Sequence, residues 1–214
     1  KFISTLYGVG FIRRALHRVA GKKLTKTFGG RIRFFGIGGS KLDSEVEQFL
    51  LDSKFIYDVG YGLTETAPLI AGMVDGMLRH GSTGPILKGI EYRLENVNEE
   101  TGIGELVIKS PSQMVGYYKN PEATAAAFTE DGFFRTGDLC CFDEDGWLYI
   151  KGRSKNMILG PSGENIYPED IENVLNSHVF ISESVVTEED GKLVALVHFD
   201  TEAIEARYAE MVDT

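Results

Sequence analysis

The chain has 214 residues, enough for one or two domains, and its 43% hydrophobic and 25% charged content is that of a globular protein rather than a disordered or fibrous one. A net charge of -10 argues against nucleic acid as the main partner. No run of 18 apolar residues is long enough to span a membrane, and no apolar signal core with a cleavage site opens the chain. Adjacent Cys140 and Cys141 offer neither a disulfide framework nor a metal-ligand spacing, and two neighbouring thiols suggest a reducing cytosol.

The charge is uneven. Residues 1–42 hold ten Lys and Arg and no acid, which leaves 12 basic and 32 acidic residues for the remainder. Arg13, Arg14, Arg18, Lys22, Lys23 and Lys26 form either a solvated helix face or a docking surface for an anionic lipid or phosphorylated ligand, that is, a peripheral membrane contact.

In chain order, apolar residues at Phe2, Leu6, Val9, Ile12, Leu16 and Val19 predict an amphipathic helix over 2–23. Residues 31–37 read as a strand running into Gly38-Gly39-Ser40. A helix capped by Asp43 or Ser44 should follow, with Val46, Phe49 and Leu50 inward, and then a second buried strand over 55–59. This order is that of an α/β layer fold, whose ligands sit beyond the carboxyl ends of strands, where Gly38-Gly39-Ser40 and Gly60-Tyr61-Gly62 fall. From Gly89 short strands are expected at 91–95, 104–109, 139–142 and 147–151, forming a β-rich subdomain of distorted-barrel type, interrupted by a helix over 121–128. Beyond Gly152-Arg153-Ser154-Lys155 come a helix over 168–175, strands at 184–187 and 193–198, and a helical tail from Glu202. The expected division is a partial α/β nucleotide-binding subdomain (1–88), the β-rich subdomain (89–152), a hinge (153–155) and a truncated C-terminal α+β domain (156–214).

Three segments carry chemistry. Gly60-Tyr61-Gly62-Leu63-Thr64-Glu65-Thr66 offers a tight glycine turn, a ring for stacking on a base, a hydroxyl donor for a phosphate oxygen, and a carboxylate suited to Mg²⁺ beside phosphates. Alone, it reads more readily as a glycine turn with a helix-capping threonine. Phe134-Arg135-Thr136-Gly137-Asp138-Leu139 places a carboxylate at an expected turn, where its two oxygens can accept both hydroxyls of a ribose. Arg153 in Gly152-Arg153-Ser154-Lys155 can donate to the same ribose or to a phosphate, and otherwise makes a surface salt bridge.

Together with Gly104-Glu105-Leu106, the run from Gly116 to Thr124 (GYYKNPEAT) and Ser162-Gly163-Glu164-Asn165-Ile166-Tyr167-Pro168, these ordered motifs resemble the adenylate-forming superfamily of acyl-CoA synthetases, peptide-synthetase adenylation domains and beetle luciferases. The resemblance covers about residues 30–200. It implies that Gly38, Gly39 and Ser40 form the floor under an adenine and border an acyl pocket. It implies that Tyr61 stacks on the adenine with Gly62 close by, that Thr64 touches the α-phosphate and that Glu65 holds Mg²⁺. Asp138 would bind the ribose with Arg153 assisting, and Lys155 would be the hinge for the second half-reaction, in which the loop around Gly163 and Glu164 swings inward. All these side chains are expected to converge on one adenosine monophosphate.

The implied activity is that of an AMP-forming ligase for medium- or long-chain fatty acids, with ATP, Mg²⁺ and coenzyme A, in the cytoplasm. The wording Glu164-Asn165-Ile166-Tyr167-Pro168 resembles fatty acyl- and aryl-CoA ligases. A carrier-protein-loading adenylation domain and a non-catalytic AMP-binding module are the alternatives. The family's glycine-, serine- and threonine-rich phosphate loop and its late catalytic lysine have no counterpart here, since Lys192 is the one lysine after Lys155 and does not sit in that motif. The chain is therefore expected to be a C-terminal fragment, inactive alone.

Overall fold

The computed structural model describes residues 10–72, 77–160 and 162–212, apart from the side chains of residues 11 and 210–212. The predicted helical residues 2–9 lie outside these. The chain divides into two compact units, one of residues Lys1–Arg93, Val107–Thr136 and Phe142–Tyr149, the other of Leu94–Leu106, Gly137–Cys141 and Ile150–Thr214.

The first unit opens with helix α1 (Gly10–Thr27), which lies against helix α2 (Ser44–Ser53). Gly21 makes the crossing close, because a Cβ there would overlap the Ser53 carbonyl oxygen. The buried stripe of α1 is therefore not the predicted apolar one. His17 and Gly21 turn inward, His17 packing edge-on to Phe49 at 5.6 Å, while Leu16 and Val19 are exposed.

Strand β1 is only Gly36–Ile37, not 31–37, and pairs in parallel with β2 (Asp58–Gly62) through Gly36↔Asp58 and Ile37↔Val59. Phe35 packs on Phe55 at 5.3 Å while Phe34 is exposed, so the segment is anchored in the core without a ladder partner along its whole length. Strand β2 likewise begins three residues later than expected. Phe55 and Tyr57 are core residues that precede it, clustered with Leu50 and Val59. Antiparallel β3 (Leu69–Gly72) completes the three-stranded sheet, order β1-β2-β3.

Helix α2 begins as expected, with the Asp43 carboxylate accepting the Val46 N–H at 2.9 Å. Its inward residues are corrected, however. Val46 is exposed, and the position that faces the core beside Leu50 is Glu47, 3% exposed. Glu47 accepts the Tyr57 hydroxyl at 3.3 Å and the Gly81 N–H at 2.9 Å, and His80 Nε2 lies 3.9 Å away. Burial, and then the neighbouring Glu47 charge, push the Tyr57 phenol above its ordinary range, so Tyr57 is a neutral donor. Later in this unit, Arg79 binds Asp143 and Asp145 and lies over the Trp147 ring at 4.7 Å, fastening 142–149 to the loop after β3.

Strands β4 (Glu91–Glu95), β5 (Gly104–Lys109), β6 (Phe134–Phe142) and β7 (Leu148–Arg153) form one sheet in that order. Helix α3 (Pro121–Ala126) sits between β5 and β6, capped by Asn120 accepting the Ala123 N–H at 3.0 Å. In the second unit, β8 (Ile158–Leu159) pairs with β9 (Asn165–Ile166), and helix α4 (Pro168–Asn176) packs on the hairpin of β10 (Ile181–Glu189) and β11 (Lys192–Phe199). Asp190 and Gly191 turn this hairpin with φ of 52° and 74°, the two left-handed positions that a two-residue loop demands. Helix α5 (Thr201–Val212) follows. No described helix is long and apolar enough to cross a membrane.

Glu47→Ala leaves the buried Tyr57 phenol and the Gly81 amide without their acceptor. It is expected to lower unfolding free energy by about 2 kcal/mol, with Glu47→Gln losing less; urea denaturation followed by circular dichroism checks both.

Candidate nucleotide site

In the first unit a cavity of about 460 Å³ is lined by Gly38, Gly39, Gly60, Gly62, Leu63 and Thr64, with Phe34, Ile37 and Leu69 among its apolar walls. Four of the residues singled out from the sequence (Gly38, Gly39, Gly62 and Thr64) thus share one cavity. Ser40, Tyr61 and Glu65 are not among its lining residues. Tyr61 lies within β2, opposite Ala71, and the register shifts between it and Gly62.

The expected glycine turn at 60–62 is in fact the end of a paired strand. Neither Gly60 nor Gly62 has a positive φ. Their value lies in close approach. A Cβ on Gly62 would overlap the Pro68 carbonyl oxygen, and one on Gly38 would lie 3.3 Å from the Gly60 carbonyl oxygen.

After Gly62 the chain leaves the strand for a single 3-10 turn, Thr64–Thr66. Its clasp is Thr66, which the sequence did not single out for a role. The fully buried Thr66 hydroxyl lies 2.6 Å from the Pro68 carbonyl and 2.9 Å from that of Leu63, and accepts the Leu63 N–H at 3.1 Å. Thr66, not Thr64, is therefore the threonine that secures the turn, and Thr64 is left exposed at the cavity. Glu65 is half-buried. Its carbonyl accepts the Met114 N–H at 2.7 Å, and its carboxylate Oε1 accepts the Tyr117 hydroxyl at 2.9 Å.

In the second unit the structure brings together the two residues expected at the ribose. Asp138 is 4% exposed and its Oδ1 lies 3.0 Å from Arg153 Nε. Asp138 is not at a turn, as expected, but inside β6, whose alternating burial turns Phe134, Thr136, Asp138 and Cys140 inward. Gly137 beside it has φ 71°, a conformation for which glycine is suited, and its carbonyl accepts the Ser154 N–H at 2.8 Å. That bond joins β6 to the turn after β7, where Lys155 is exposed. Glu169 of α4 grips the same turn, accepting the Asn156 side-chain amide at 2.8 Å. Burial, and then the charge of Asp138, push the Cys140 thiol upward, so it is not a nucleophile at neutral pH. The loop after β8 is closed by Gly160 N–H donating to the Glu164 carbonyl at 2.8 Å.

No group of three or more His, Cys, Asp or Glu side chains among the described residues could hold a metal. Mg²⁺ bound beside phosphates needs only one or two protein carboxylates, so the single anchored Glu65 fits that role.

A profile of the family described as AMP-binding enzyme matches residues 3–118. The chain belongs to the AMP-binding enzyme family. It is 35% identical over 203 residues to the long-chain-fatty-acid–CoA ligase FadD15 of Mycobacterium bovis, covering 92% of this chain and 33% of that protein. It is 32% identical over 177 residues to long-chain-fatty-acid–CoA ligase 4 of Saccharomyces cerevisiae, covering 80% of this chain and 26% of the yeast protein. The chain thus spans about a third or less of the length of these curated relatives. Among solved structures, o-succinylbenzoate coenzyme A synthetase (MenE) of Bacillus subtilis in complex with AMP matches with a TM-score of 0.70 at 30% identity, over 82% of this chain and 40% of that one. ATP-bound MatB of Rhodopseudomonas palustris matches with a TM-score of 0.67 at 32% identity, over 80% and 36% respectively. The fold of this AMP-binding family member is that of adenylate-forming enzymes, as the sequence motifs imply.

Thr66→Val keeps the shape of the clasp but strands the Pro68 carbonyl. It is expected to cost about 1–3 kcal/mol, read as a lowered urea midpoint with an unchanged m-value.

Proposed function

We propose that this chain belongs to an AMP-forming fatty acyl-CoA ligase, which joins a carboxylate to ATP as acyl-AMP with release of pyrophosphate and then passes the acyl group to the thiol of coenzyme A. The observation that carries the nucleotide part is the cavity shared by Gly38, Gly39, Gly62 and Thr64. The curated long-chain-fatty-acid–CoA ligases among its relatives, and the apolar walls of that cavity, support a fatty acyl substrate.

A free carboxylate is a poor acyl donor, since its leaving group would be oxide, and adenylation supplies a better one. The difficulty of the first step is the approach of one anion to a polyanion. In this reading Gly38, Gly39 and Ser40 give backbone surface for the adenine, because nothing larger than hydrogen stands between ligand and peptide at the glycines. Tyr61 stacks on the base. The Thr64 hydroxyl donates to an α-phosphate oxygen and so stabilises charge that grows during transfer. Glu65 is the carboxylate that would hold Mg²⁺, which when bound offsets the repulsion between the reacting anions. Asp138 accepts the ribose hydroxyls, with its orientation set by Arg153. Lys155, on the exposed turn after β7, is the pivot at which the chain from residue 156 onward changes position between the two steps.

The 214-residue polypeptide is expected to bind AMP by isothermal titration calorimetry. 2′,3′-Dideoxy-AMP should bind more weakly, and Asp138→Ala should abolish that preference, since hydrogen bonds to a charged acceptor are worth about 1.5–3 kcal/mol. With neither the family's phosphate loop nor its late lysine in its sequence, the same polypeptide should release no pyrophosphate from ATP, Mg²⁺, palmitate and coenzyme A. Robust turnover would refute the dependence of the reaction on those two elements.

A further inference from the structure

The 3-10 turn that presents Thr64 and Glu65 is braced by a segment far away in sequence. Three bonds cross to it from residues 112–117. Ser112 Oγ donates to the Thr66 carbonyl at 2.8 Å, the Met114 N–H donates to the Glu65 carbonyl at 2.7 Å, and the Tyr117 hydroxyl donates to Glu65 Oε1 at 2.9 Å. The first two fix the backbone of the turn. The third alone acts on the carboxylate that the proposed function assigns to Mg²⁺.

Tyr117 is itself fixed. Its N–H donates to Thr124 Oγ1 at 2.9 Å, and that hydroxyl donates to the Asn120 carbonyl at 2.8 Å, at the capped start of α3. Gly116 permits this approach, because a Cβ there would lie 2.7 Å from Thr124 Cγ2. A continuous set of bonds thus runs from the α3 N-terminus through Thr124 and Tyr117 to the Glu65 carboxylate.

We propose that Tyr117 is a positioning residue for the metal-binding carboxylate: its hydroxyl holds Oε1 of Glu65 in one orientation, so that the carboxylate meets Mg²⁺ and the ATP phosphates already aligned. The physical case is entropic and geometric. A half-exposed glutamate samples several rotamers and must be ordered when the ion arrives. A donor on one oxygen orders it beforehand, as partners of ligating side chains do at metal sites generally. The inference rests on the nucleotide reading above.

The test is calorimetric titration of the 214-residue chain with ATP, once with Mg²⁺ and once with EDTA. The proteins are the unmodified chain, Tyr117→Phe, Glu65→Gln and the double variant. The expected result is that Tyr117→Phe weakens ATP binding in Mg²⁺ by roughly tenfold, leaves binding in EDTA unchanged, and adds nothing to Glu65→Gln. If Tyr117→Phe matches the unmodified chain in both buffers, the positioning role is overturned and the nucleotide site stands. If it weakens binding equally in both, Tyr117 only braces the fold, and the proposal is again overturned. If the unmodified chain binds no ATP in either buffer, the nucleotide reading falls and takes the proposal with it.

Discussion

The site of the first unit depends on how closely the end of β2 passes the chain at Pro68. Gly62 has no room for a side chain, because a Cβ would occupy the position of the Pro68 carbonyl oxygen. Two backbones that meet at this distance leave the five intervening residues little choice but a tight excursion. Thr66 closes that excursion from within by its buried hydroxyl. Thr64 and Glu65 therefore stand at the tip of a turn whose shape is settled by backbone contact and one hydroxyl, not by their own side chains. This leaves both free of structural duty within the turn itself, as a pair that acts on a ligand should be.

The second unit solves a related problem with charge. A carboxylate at 4% exposure is costly unless something answers it. Asp138 is answered by Arg153 at 3.0 Å, and the bond between Gly137 and Ser154 keeps the two strands that carry them in step. The arginine is itself about half exposed, so the pair gives orientation more than stability. Glu169, reaching from α4 to the turn that carries Lys155, adds a further constraint on the segment proposed as a pivot.

Local chemistry in the sequence was readable wherever a residue acts on its own neighbourhood. Asp43 caps the helix it was expected to cap, and the strands flanking Asp190-Gly191 were seen, though they extend to the turn itself. Amphipathic periodicity failed where a polar residue holds a core position. Glu47 and His17 face inward because Tyr57, Gly81 and Phe49 wait for them, partners that lie 10, 34 and 32 residues away along the chain. Strand limits failed at 31–37 and 55–59 because a ladder needs a neighbour, which an apolar run does not supply. The role of Tyr117 was unreadable for the same reason, since Glu65 is 52 residues away. The motif order carried the family correctly, while the glycines of 60–62 serve strand contact rather than a turn.

The proposed nucleotide site is the cavity at Gly38, Gly39, Gly62 and Thr64 of the first unit. Amide-detected NMR of the labelled chain, titrated with AMP, tests it most directly. Saturable shifts are expected at the amides of Gly38, Gly39, Gly62 and Thr64, all following one binding isotherm. Saturable shifts confined to other residues, or none at all, would contradict it.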